Sequence, residues 1–160
     1  MIRLFLPTLL TMFLIGGSTY ANAETAKPDA TVLTKLFNDW TDAFNRKDIA
    51  ATCRLYAPNV TATFQGLPPK NYDIICDGFK RLFAEKNKHY QDRFDIHDIY
   101  QSENLAAVRI TWYLDIQENG HKLSLFKDEG MDILAKDQAG NWKIINYLAF
   151  PVIQGLGSMS

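Results

Sequence analysis

Residues 40–64 read WTDAFNRKDIAATCRLYAPNVTATF, and the order of signals in them decides the fold. Trp40, Ala43 and Phe44 close an apolar stripe begun by Leu33, Leu36 and Phe37, the three- and four-residue spacing of an amphipathic helix. Asn45-Arg46-Lys47 interrupts the stripe. Asp48 can cap a second, short helix, with Ile49, Ala50, Cys53 and Tyr56 on one side. Pro58 has no N–H to donate and ends that helix. Val60 to Phe64 then alternates and is β-branched, as a strand requires.

Upstream of this stretch the first 23 residues read as a cleaved signal peptide. Arg3 supplies a positive start, and Leu4 to Ile15 is apolar but too short to span a bilayer as a helix. Ala21-Asn22-Ala23 is an A-x-A cleavage pattern. The expectation is an exported protein, periplasmic or secreted, with no membrane attachment after cleavage. Residues 24–152 then form one domain of ordinary size, led by a helix that Asp29 can cap, and residues 153–160 read as a flexible tail. Arg3 is the only charged residue removed, so 17 basic and 18 acidic residues become 16 and 18, a net charge of −2. That balance argues against a nucleic-acid partner, which would need a clustered positive field.

Downstream, Gly66 to Lys70 is a turn, and Tyr72, Ile75, Cys76, Phe79, Leu82 and Phe83 mark a third helix. From His89 the period changes to two. Val108, Ile110, Trp112, Leu114 and Ile116 form one face of a strand, with Arg109, Thr111, Tyr113, Asp115 and Gln117 on the other. Such alternation describes an antiparallel sheet with one face buried. Asn119-Gly120 is a two-residue hairpin turn, and Asp137 to Gly140 is a second turn leading into a strand over 142–152. With 93–100 this makes at least four long strands. Three helices followed by a meander is an α+β arrangement, with helices packed on one face of a curved antiparallel sheet.

Cys53 and Cys76 both fall on apolar helix faces, and two readings stay open: buried thiols acting as small hydrophobes, or a disulfide tying the second helix to the third. Zinc is disfavoured, because there is no C-x-x-C and His89, His97 and His121 are scattered. His97 lies between Asp95 and Asp98, and reads as an edge or outer-face residue. No phosphate loop, nucleophile elbow or dinucleotide fingerprint is present, so no cofactor or metal is expected.

The pattern W-x3-F-N-R-K-D-I-x5-L-Y-A-P-N-V-T from Trp40, with the D-x-x-G-x-W-K-I hairpin from Asp137, resembles the nuclear-transport-factor-2-like superfamily in its SnoaL-like and ketosteroid-isomerase-like branch. The resemblance implies a cone-shaped α+β barrel of the cystatin-like kind, a small molecule in its apolar interior, and homodimers formed through the outer sheet face. Isomerases of that superfamily use a tyrosine, a carboxylate base and a protonated aspartic acid. Carried over without gaps, the first two positions hold Trp40 and Phe64, and the third holds Asp132 when the closing hairpin is aligned on Gly140. Phe64 cannot take a proton and an indole cannot replace a phenol as an acid, so steroid-isomerase chemistry is not expected.

One inward carboxylate is expected on the strand after Asn119-Gly120. Regular pairing through that turn sets Ile110 opposite Glu129 and turns Glu129 inward with Leu123 and Leu125. A β-bulge near Asp128-Glu129-Gly130 would turn Asp132 inward instead. Trp40, Tyr56, Phe64, Phe83, Trp112 and Leu114 are the expected pocket lining, with Asn146 as its neutral polar member. Two functions fit: an exported domain that binds a small apolar molecule, or an isomerase, cyclase or dehydratase working through Asp132 or Glu129.

Overall fold

A computed structural model describes residues 30–152. The signal peptide read over 1–23, the Asp29 cap and the tail over 153–160 lie outside the described residues. Three helices, α1 (Ala30–Asn45), α2 (Ile49–Arg54) and α3 (Tyr72–Ala84), accompany five strands. The strands are β1 (Tyr56–Phe64), β2 (Lys88–Gln101), β3 (Leu105–Glu118), β4 (His121–Lys136) and β5 (Trp142–Pro151). They form one curved, unclosed sheet in the order β1-β5-β4-β3-β2. Only the β1–β5 pair is parallel.

The helices begin where the side chains predict. The Asp48 carboxylate accepts from the Ala51 N–H at 3.0 Å, and Asn71 accepts from Ile74 at 3.0 Å. Asn119 and Gly120 both have positive φ, 51° and 79°, the backbone that a tight hairpin turn needs. Two details differ from the sequence reading. Tyr56 opens β1 rather than closing α2, and Pro58 sits inside that strand. The sheet tolerates this because β1 is an edge strand and its pairing with β5 skips the residues between Tyr56 and Thr61.

The core lies between α1 and the concave face of the sheet. Leu33, Phe37, Trp40 and Phe44 from α1 meet Val108, Ile110, Leu134 and Ile144 from the strands. Phe37 stacks edge-on against Trp112 with ring centres 5.7 Å apart, and Trp40 does the same at 5.0 Å. Cys53 and Cys76 are joined by a disulfide, with Cα atoms 5.7 Å apart. It ties α2 to α3 and settles the open alternative.

Candidate small-molecule pocket

The site is built by α3 closing over the concave sheet face next to α1. The cavity measures about 540 Å³. Trp40 and Phe44 line it from α1, and Ile75, Phe79 and Leu82 from α3. The sheet supplies Tyr56, Ala62 and Phe64 from β1, Tyr90 and Asp92 from β2, and Trp112, Leu114 and Ile116 from β3. Phe126, Asp128 and Asp132 come from β4, and Ile144 and Tyr147 from β5.

Three one-residue irregularities decide which side chains face inward. Ile116 pairs with Ser124 while Gln117 pairs with Lys122, so Leu123 is the extra residue next to the hairpin. Beyond it the even-numbered residues of β4 turn inward: Asp128 opposite Trp112 and Asp132 opposite Val108. The bulge expected near residue 129 is thus six residues closer to the turn. Its effect on facing is the expected one. In β5, Ile133 pairs with Asn146 and Leu134 with Ile144, leaving Ile145 as the extra residue. In β2, His97 is skipped between Ile96 and Asp98.

Three sequence expectations are corrected by this geometry. Glu129 is exposed on the other face, where its carboxylate lies 3.4 Å from the Lys127 ammonium. Asn146 is turned away from the cavity by the Ile145 bulge, and Tyr147 occupies the inward position. Phe83 packs behind the lining, 5.2 Å from the Phe44 ring and 6.2 Å from that of Phe79. Trp40, Tyr56, Phe64, Trp112 and Leu114 line the cavity, and Asp132 is fully buried at it. His97 contacts the Thr111 hydroxyl at 2.6 Å, while its flanking acids serve Tyr113 and Arg109.

Asp92, Asp128 and Tyr147 are functional candidates that the sequence reading missed. Asp92 continues an inward alternation with Tyr90 and Phe94 that starting the strand at residue 93 conceals. The Asp128 signal was there in its spacing of four from Asp132, but only once the facing of β4 is known.

The electrostatics follow from desolvation. Burial pushes the Asp132 carboxyl up to about 8, moderated by the nearby Trp112 indole. Neither Asp132 oxygen has a hydrogen-bond partner of normal geometry. Asp92 is raised well above the usual carboxylate range by burial and then by the Asp128 charge, and its Oδ1 is also unpartnered. Burial raises Asp128 as well. The Tyr56 and Tyr147 phenols are raised far, first by burial and next by Asp132. Burial thus favours the neutral form of each of these acids over its charged form. The Trp40 indole is not free to join them, because it donates to the Thr52 carbonyl at 2.9 Å.

Residues 37–144 match the family model of the SnoaL-like domain. Solved structures with the same fold include a ketosteroid isomerase-like protein from Erwinia carotovora atroseptica, at 18% identity and a TM-score of 0.64. That match covers 80% of this chain and 99% of the other. An NTF-2-like protein of unknown function from Shewanella oneidensis matches at 18% identity and TM-score 0.65, over 76% and 98% of the two chains. A candidate scytalone dehydratase from Novosphingobium aromaticivorans matches at 11% and 0.63, over 78% and 84%. At these identities the likeness is one of fold. Among curated proteins no sequence match was found.

Proposed function

The chain belongs to the SnoaL-like domain family, and on that premise we propose that it is an exported domain holding a small molecule with an apolar body in its conical pocket. One observation carries the reading: an aromatic-walled cavity of about 540 Å³ that contains a fully buried, unpartnered aspartic acid. A volume in this range suits a small organic ligand, and apolar walls with few polar groups are the usual make-up of such sites. Export is supported by residues 1–23 and by a disulfide, which persists in oxidising compartments. We also propose a homodimer through the outer sheet face, where Leu148 and Phe150 are exposed on the face opposite the pocket.

The steroid-isomerase mechanism is not the proposed activity, because the strand position for its base holds Phe64. A second reading is favoured by Asp132 itself. A carboxyl that keeps its proton at neutral pH can donate it to a carbonyl or leaving hydroxyl, the step an isomerase, cyclase or dehydratase needs. Ligand titration and turnover assays on wild type and Asp132→Asn, across steroid, polyketide and lactone compounds, separate the two. Saturable binding with no turnover supports the binding reading. Turnover lost in Asp132→Asn, with binding retained, supports the enzyme. If no compound of any class binds, the pocket reading itself is abandoned.

A further inference from the structure

We propose that the cavity takes an organic cation: a primary or secondary ammonium on an apolar body, with the ammonium on Asp132 and the body among Trp40, Trp112 and Phe79. The proposal rests on the small-molecule reading and narrows it to one chemical class. Asp132 is completely buried, lines the cavity, and leaves both oxygens without a partner of normal geometry, the Trp112 indole lying close by. Buried polar groups in folded proteins are nearly always paired, so an orphaned carboxyl aimed into an open cavity marks the place of a missing donor. Asp92, also buried and lining the same cavity, has an orphaned oxygen too.

The surroundings select the sign of the ligand. Every titratable group facing the cavity from the sheet is an acid or a phenol: Tyr56 on β1, Tyr90 and Asp92 on β2, Asp128 and Asp132 on β4, Tyr147 on β5. The lining holds two cations, Lys70 bridged to Ala62 of β1 and Arg81 on α3, and neither is paired with these acids. Lys70 is held over the Phe64 ring, 4.4 Å from its centre, and Arg81 is exposed. Among the described residues none of the three aspartates has a basic side chain within ion-pair distance. An anionic ligand would meet three acids at once. A neutral carbonyl could accept one proton from Asp132 and would leave its second oxygen bare. An ammonium can serve both oxygens with charge-assisted hydrogen bonds, and aromatic faces attract it as well.

Cation binding requires Asp132 to lose its proton, and this gives the test a signature. Matched pairs of probes share one body and differ in one group: 4-phenylbutylamine against 4-phenylbutan-1-ol, with naphthylmethyl and cyclohexylmethyl pairs beside them. Each is titrated into the full mature chain between pH 6 and 9, read by tryptophan fluorescence and by calorimetry in two buffers of different ionisation enthalpy. At least one amine should bind ten-fold or more tightly than its alcohol at pH 8.5. Its affinity should rise roughly fifty-fold from pH 6 to 8 and then level, with close to one proton released per site at pH 7, as expected for a carboxyl titrating at about 8. Asp132→Asn should abolish the amine preference and the proton release while retaining alcohol binding, which reports an intact pocket. If the alcohols bind as tightly as the amines, or if affinity for amines falls with rising pH, the cation is wrong and the small-molecule pocket stands. If no probe of either kind binds, both are wrong.

Discussion

An acid that keeps its proton in the folded chain and loses it in the unfolded chain makes stability fall as pH rises. Asp132 is such a group, with a carboxyl near 8 in the fold against about 3.9 when unfolded. Its contribution is whole below about pH 4 and is lost progressively up to about pH 8, at up to about 1.4 kcal/mol per pH unit. Asp92, raised for the same reason, adds in the same direction. Asp132→Asn should therefore flatten the decline, which urea unfolding at pH 5, 6, 7 and 8 would show; parallel slopes for the two proteins would refute a protonated Asp132. Two glycines give a contrasting pair. A methyl on Gly130 would run into the backbone carbonyl of Leu148, in a strand that cannot yield, whereas one on Gly78 meets open space. Gly130→Ala should cost about 2–3 kcal/mol through overpacking. Gly78→Ala should gain up to about 1 kcal/mol of helix stability. Melting temperatures moving in opposite directions would bear this out. Trp40 and Phe64 were legible because a gapless motif fixed their positions, and Asp132 because the closing hairpin could be aligned on Gly140. The protonation of Asp132 was not, since it depends on a face that sequence alone left between two residues.

At the scale of elements, period and caps carried most of the information. The stripe of α1, the Asp48 cap and the alternation of β3 all appear where the residues put them. Bulges were the illegible part, because a skipped residue has no composition of its own. Leu123, His97 and Ile145 are extra only relative to the strand beside them. Asn146 was misplaced and Tyr147 overlooked for that reason alone. The disulfide belongs to this scale too. It links α2 to α3 across 23 residues of sequence, and a loop of that size should add about 3 kcal/mol in the chain-entropy model. α3 is also one wall of the pocket. Reduction, or Cys53→Ser with Cys76→Ser, should lower the urea midpoint and weaken ligand binding together. An unchanged midpoint under reductant would mean that the bond contributes nothing to the fold.

For the whole molecule, the two faces of the sheet differ in what they present. The concave face closes on helices and holds the acids. The outer face carries Met131 and Ile133 beside the exposed Leu148 and Phe150, a cluster that a second copy could cover. Sedimentation should find a dimer at micromolar concentration, and Phe150→Asp should shift it to monomer without loss of ligand binding. A wild-type monomer at that concentration would remove the dimer. The general architecture could be read from sequence because helices-then-meander admits few packings. The contents of the cavity could not, since they depend on pairing between distant strands.

The extra residue at Leu123 makes the interior a matter of reading frame in space. Pairing without that bulge, with every residue kept, would set Ile116 opposite Leu123 and exchange the two faces of β4 beyond it. Asp128 and Asp132 would turn to solvent, and Lys127, Glu129 and Met131 would enter the core. Deleting Leu123 removes the irregularity and leaves Ile116 opposite Ser124, so that variant should keep its near-ultraviolet dichroism and its pocket; loss of both would show that the inward facing of Asp132 depends on the bulge itself. Within this fold, then, a one-residue slip in strand pairing can rewrite the chemistry of the pocket more completely than any substitution inside it.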